Sequence, residues 1–220
     1  MTGAEVPRSE ATFLEEGSLA QSPTVACIVL AAGRSTRMGT ANKLSADVGG
    51  KPMVRYAVEA ALASAASPVL VVTGHQAKEV RAALAGLAVR FVHNRDYAAG
   101  LASSLKAGIG ALPEGAVGAL VLLGDMPQIT AADLDRLIAA FAAENGAAIV
   151  VPTHAGKRGN PVLWPAAYFA EMLQLDGDTG AKRLFAVHAD RIREVDLGTD
   201  AIFLDVDTPE ALAKVRGGGG

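Results

Sequence analysis

The sequence predicts an open α/β fold, a mainly parallel sheet with helices on both faces. Three observations lead to it. Short apolar runs alternate with longer helical patterns from residue 25 to residue 151, the order that parallel strands and crossover helices require. Two runs, VLVV at 69–72 and LVLL at 120–123, are apolar throughout, as strands covered on both faces are. Helix punctuation falls between the runs: Thr130 stands before Ala131, Ala132 and Asp133, and Asn145-Gly146 begins fifteen residues after Thr130. A threonine N-cap with an acid in the first turn starts a helix, and two residues that tolerate positive φ end one.

In order, the strands are expected at 25–30, 69–73, 89–93, 119–123 and 147–151, with helices at 53–64, 77–84, 103–108 and 131–143. Pro52 opens the first helix where its missing N–H does no harm. Beyond Val151 the pattern is less regular. Strands at 161–164, 191–195 and 202–206 and helices at 166–175, 178–188 and 209–215 are expected there. Residues 1–23 read as a flexible extension, 24–216 as one domain and 217–220 as a flexible glycine tail. The chain has 220 residues, half of them hydrophobic and 5% aromatic, enough for one generous core and too ordered in composition for disorder.

Charge matters by placement. Residues 1–23 hold Arg8 against Glu5, Glu10, Glu15 and Glu16, which accounts for the whole net charge of −3. The remainder is neutral, which argues against nucleic acid as a partner. Cys27 is the single cysteine; it forms no internal disulfide and reads as a small core hydrophobe. No apolar stretch reaches 18 residues and no basic-then-apolar leader begins the chain. A soluble cytoplasmic protein, with no membrane partner, is the expectation.

In open α/β sheets ligands bind beyond the carboxyl ends of strands. After the first strand comes L-A-A-G-R-S-T-R-M-G-x-x-N-K-L at 30–44. From Arg34 to Lys51 the chain carries Arg34, Arg37, Lys43 and Lys51 against Asp47 alone, and small residues let backbone N–H groups approach an anion. The loop has neither the Walker A spacing nor G-x-G-x-x-G, which disfavours a nicotinamide-dependent oxidoreductase. Asp125 ends the buried 119–123 run, and its hard oxygens suit a divalent cation; capping the helix after Thr130 is the competing role.

The 30–44 loop resembles the signature of the MobA-like nucleotidyltransferases, and within them the molybdenum cofactor cytidylyltransferases. Further matches are GKP at 50–52, NRDYAAGLASSL at 94–105, GDMP at 124–127, RGNPVL at 158–163, GDTGA at 177–181 and DVDTPE at 205–210. This resemblance implies a Rossmann-like, nucleotide-diphospho-sugar transferase-like fold. It also implies Mg2+-dependent transfer of CMP from CTP to the terminal phosphate of a molybdopterin-type acceptor. By resemblance Arg37, Lys43 and Asp125 are catalytic, with Leu30, Ala31, Ala32, Gly33 and Arg34 around the phosphates. Gly100, Ser103 and Ser104 would read base and ribose, although serine capping of a helix N-terminus explains the two serines equally well. Thr73 and Gly74 are weaker base contacts, and Asn160 and Asp178 face the acceptor. The metal would take Asp125 and a second acid, Asp207 in preference to Asp205.

The guanylyl-transferring relatives read L-A-G-G where this chain has L-A-A-G, and the methyl of Ala32 is expected to narrow the base pocket toward a pyrimidine. A guanylyltransferase using GTP and a transferase with a sugar or polyol phosphate acceptor are the alternatives. A non-catalytic chaperone for the cofactor is a third, and it would have no need of Arg37, Lys43 and both acidic motifs. A recipient molybdoenzyme or its chaperone is a further candidate partner.

Overall fold

The computed structural model describes residues 24–33, 42–177 and 181–203. Within them the first apolar run forms β1 (Thr24–Ala31), and β2 (Asp47–Val48) pairs with β3 (Lys51–Pro52) as a short hairpin. Then come α1 (Met53–Ala63), β4 (Val69–Thr73), α2 (Ala77–Ala83), β5 (Arg90–His93) and α3 (Leu101–Ile109). They are followed by β6 (Ala116–Leu123), α4 (Ala131–Ala143), β7 (Ile149–His154), β8 (Lys157–Arg158) and β9 (Val162–Pro165). Last come α5 (Phe169–Met172), α6 (Lys182–Val187) and β10 (Ile192–Asp196).

The main sheet runs β10-β7-β9-β6-β1-β4-β5, with β8 paired to β7. β1 is parallel to β4 and β6, β4 to β5, and β7 to β10, while β9 lies antiparallel between β6 and β7. The mainly parallel sheet is therefore as expected. The reversal of β9 has a local cause. Ala155 and Gly156 take positive φ and fold β8 back on β7, so the chain re-enters the sheet in the opposite sense.

Alternation along β1 builds both sides of the core. Cys27, Val29 and Ala31 pack with Val54, Val58, Leu134 and Leu137 of α1 and α4. Ile28, Leu30 and Ala32 pack with Ala102, Leu105 and Ile109 of α3 and with Met172. Period two in a strand buried on both sides yields two cores divided by one sheet. Leucine-sized side chains buried this way each contribute about 1.5–3 kcal/mol.

Helix α4 begins and ends where its sequence says. The Thr130 hydroxyl accepts from the Asp133 N–H, and the Asp133 carboxylate accepts from the Thr130 N–H at 3.0 Å, a closed capping box. Asn145 (φ 52°) and Gly146 (φ 73°) end it.

Elsewhere the boundaries moved. The expected helix at 103–108 starts two residues earlier, because Gly100 (φ 103°) turns the chain directly into it. The helix expected at 166–175 is a 3-10 turn at Ala166–Tyr168 running into the single turn of α5. Of the strand expected at 202–206, residues 202 and 203 belong instead to the 3-10 turn Asp200–Phe203; the rest, with the helix at 209–215, lies outside the described residues. Among the described residues no helix is long and apolar enough to cross a membrane.

Candidate active site

Chain order and sheet order together locate the site. From β1 the chain builds outward through β4 and β5, then returns to place β6 on the other side of β1. Strand order reverses between β1 and β6, and in open α/β sheets the crevice that binds ligands lies beyond the carboxyl ends at such a point. Two expected motifs meet there. Gly124 donates its N–H to Leu30 O at 3.0 Å, so the turn after β6 is stitched to the end of β1. A Cβ on Gly124 would lie 3.1 Å from that same carbonyl, which is why glycine precedes the acid.

Asp125 follows, 9% exposed. Lys43, 82 positions away in sequence, places Nζ 2.5 Å from Asp125 Oδ2. The sequence reading brought these two groups to one site, and the geometry joins them. Because Thr130 and Asp133 cap α4 between themselves, Asp125 has no capping duty there. Among the described residues no three His, Cys, Asp or Glu side chains gather as a metal cage. Asp205 and Asp207 lie outside the described residues, as do Arg34, Arg37 and Asp178. A site of one carboxylate completed by substrate phosphate oxygens is nonetheless what Mg2+ prefers, and Asp125 at the crevice fits that use.

Lys43 is presented by a built turn. The Asn42 side-chain oxygen accepts from the Leu44 N–H at 3.0 Å, and the Asn42 carbonyl accepts from Ser45. This one-turn 3-10 segment, Lys43–Ser45, is followed by the β2–β3 hairpin. The hairpin is fastened to α1 by Tyr56, whose hydroxyl donates to Val48 O at 2.6 Å, and by Glu59, which receives Lys51 and Arg55. The Lys51 hydrogen bond holds the Glu59 carboxyl below its ordinary range. Asn42 is thus a positioning residue for Lys43 that the motifs did not single out. Its signal was available, since asparagine just before a turn commonly caps it.

The segments at the ends of β4 and β5 form the next wall. The Ala32 carbonyl accepts from the His75 N–H at 3.2 Å. Ala32 is 3% exposed, and a Cβ on Gly74 would fall 2.9 Å from the Ala32 methyl and 2.5 Å from Tyr97 Cβ. The Ala32 methyl thus packs against the backbone of Gly74. The role of Gly74 is close packing. Gly74→Ala is expected to cost about 1–3 kcal/mol in a urea titration and to displace the loop after β5. Thr73 is fully buried and donates to Val92 O at 3.3 Å, so its hydroxyl serves the sheet.

Neither Ser103 nor Ser104 is an N-cap, because Gly100 occupies that position without a side-chain cap. Both serines instead receive the side-chain amide of Asn94, a buried residue that the sequence analysis left unassigned. The Gly177 carbonyl accepts from the Ala102 N–H at 3.1 Å, and Lys106 pairs with Asp176 at 3.0 Å. The chain at Asp176 and Gly177 is thereby moored to the helix that carries the serines. Asn160 lies on the same edge: the register of Val162 against Val121 sets the start of β9 level with the end of β6. Its N–H donates to Ile202 O at 2.9 Å, and Gly159 is pressed so close that a Cβ would meet that carbonyl at 2.5 Å.

Comparison with known proteins agrees with this layout. The sequence profile of the MobA-like NTP transferase domain matches residues 27–192. The molybdenum cofactor cytidylyltransferase of Escherichia coli K12 is 30% identical over 191 residues, covering 86% of this chain and 94% of that one. The bifunctional protein GlmU of Anaeromyxobacter sp. Fw109-5 is 36% identical over 210 residues, and the chain spans only 40% of its length. Among solved structures, Rv0371c of Mycobacterium tuberculosis H37Rv superposes with a TM-score of 0.78 at 28% identity, covering 88% of this chain and 97% of that one. A second structure of that protein, in complex with manganese, gives 0.75. With a lysine–aspartate pair beyond the ends of β1 and β6 and this profile across most of its length, the chain belongs to the MobA-like NTP transferase family of nucleotidyltransferases.

Proposed function

We propose that the protein transfers CMP from CTP to the terminal phosphate of a molybdopterin-type acceptor and releases pyrophosphate. One observation carries the choice of acceptor. The likeness to the Escherichia coli molybdenum cofactor cytidylyltransferase runs through 94% of that relative, whereas the likeness to the first GlmU ends at 40% of its length.

In the proposed step an oxygen of the acceptor phosphate forms a bond to the α-phosphorus of CTP. The bond from that phosphorus to the bridging oxygen breaks, and pyrophosphate leaves with the electron pair. The attacking group is already an anion, so the step needs no general base. The chemistry asked of the protein is placement and charge. Lys43 leaves Asp125 to meet the triphosphate, and the backbone around Ala32 and Gly33 lines its path together with Arg37. Asp125, with Asp207 or Asp205, would hold Mg2+, whose charge would stabilise the negative charge that develops as pyrophosphate leaves. Gly100, Ser103 and Ser104 take the nucleoside, and Asn160 and Asp178 take the acceptor. The product would pass to a molybdoenzyme or its chaperone.

The test is pyrophosphate release by the purified protein with each nucleoside triphosphate, Mg2+ and the pterin cofactor. CTP should be turned over fastest. Equal or faster turnover of GTP overturns the choice of nucleotide, and release that depends on a sugar phosphate or polyol phosphate overturns the acceptor.

A further inference from the structure

We propose that Asn94 is a specificity-determining positioning residue: it fixes Ser104 as a hydrogen-bond donor and so selects bases that present an acceptor there. This inference rests on the nucleotide-transfer reading and deepens it. The Ala32 methyl packs against Gly74, and the end of β5 supplies a further source of base selection.

Asn94 is anchored on every side. Its N–H donates to Thr73 O at 2.7 Å, which continues the β4–β5 ladder. Its Oδ1 accepts from the Asp96 N–H at 2.9 Å. A backbone N–H can only donate, so this contact settles which end of the amide is oxygen. Nδ2 must then face the first turn of α3, where it lies 2.8 Å from Ser103 Oγ and 3.1 Å from Ser104 Oγ. An amide nitrogen only donates, so both serine oxygens accept, and each hydroxyl hydrogen is directed elsewhere.

For Ser103 the destination is at hand, since the carbonyls of Gly100 and Asp96 lie 2.8 and 2.9 Å away. For Ser104 no acceptor exists among the described residues, and the residue is only 5% exposed. A buried hydroxyl hydrogen without an acceptor is costly, so the site calls for an acceptor from outside. Cytosine offers O2 and N3 side by side on one edge. The discrimination lies at N3, which accepts in cytosine, whereas N3 of uracil and N1 of guanine carry hydrogens, so a hydroxyl directed there meets a donor in both, although each also has carbonyl acceptors elsewhere. Discrimination of this kind is strong because the wrong partner leaves buried polar groups unpaired.

The experiment compares Asn94→Asp, Ser104→Ala and the double variant by calorimetric titration with Mg2+-bound CTP, UTP and GTP. Inorganic tripolyphosphate serves as a probe of the phosphate subsite alone. Asn94→Asp keeps the acceptor for the Asp96 N–H but replaces the donating nitrogen by an accepting oxygen, which turns the serine hydroxyls inward. It should weaken CTP on the order of tenfold and erase the preference over UTP and GTP, with tripolyphosphate unchanged. Ser104→Ala should cost a similar factor in the wild-type background and nothing in the Asn94→Asp background. Three results overturn the proposal: unchanged CTP affinity in Asn94→Asp, a parallel loss of tripolyphosphate, or the same cost of Ser104→Ala in both backgrounds. Should Asn94→Asp not fold, Ser104→Ala alone decides, since a retained preference for CTP overturns it. A wild-type protein that binds no nucleoside triphosphate defeats the nucleotide-transfer reading itself, a distinct outcome.

Discussion

Asp125→Asn is expected to lower pyrophosphate release by about 10³-fold, since one metal-holding charge contributes several kcal/mol to a transition state that accumulates negative charge. The substitution is nearly isosteric. It leaves Gly124 bonded to Leu30 O and the Thr130–Asp133 box intact, so the sheet and α4 should keep their structure while the loss of the charged Lys43 pair lowers stability. Circular dichroism checks the fold, and release at rising Mg2+ or Mn2+ checks the role. A variant that recovers full turnover at high metal has only weakened affinity, and one that never loses turnover removes Asp125 from the metal site.

Lys43→Met is expected to act on both catalysis and stability. The ammonium lies 2.5 Å from a carboxylate that is largely withdrawn from water. Removing one partner of such a pair costs about 3–5 kcal/mol when burial is complete; with side chains 13% and 12% exposed, about 2–3 kcal/mol is the better figure. Transfer should fall on the order of 10²–10³-fold, the scale of losing one preorganised charge donor. The variant should also respond to metal more than the wild type does. A divalent cation beside Asp125 replaces the missing positive charge, and ligand binding to the native state raises its stability. The rise in Tm on adding Mg2+ is the measurement. An equal rise in both proteins shows that Lys43 and the cation do not share Asp125.

Sequence was informative wherever local chemistry decides the outcome. The 69–73 strand and the 131–143 helix were legible to the residue, the first from an unbroken run of β-formers and the second from caps at both ends. The direction of β9 was not legible. VLW reads as a strand in either sense, and the reversal resides in the turn at Ala155 and Gly156. At the site, inspecting the residues that follow each strand identified Lys43 and Asp125, although nothing in the sequence showed that they touch. The same inspection reached Asn94 within its motif and assigned it nothing. An amide's importance depends on the neighbours at its two ends, and here those come from β4, the loop after β5 and α3.

Cys27 sits in the middle of β1, flanked by β4 and β6 and wholly enclosed. Burial pushes its thiol up to about 12, so in the native protein it is neither ionised nor reachable. It is also the single cysteine of the chain. An alkylating reagent can therefore reach a thiol only when this interior strand of the sheet parts from its neighbours. The labelling rate becomes a clock for opening of the core, readable on the unmodified protein. Nucleotides or metals that bind across the ends of β1 and β6 should slow that clock, and the slowing reports binding without any assay of transfer.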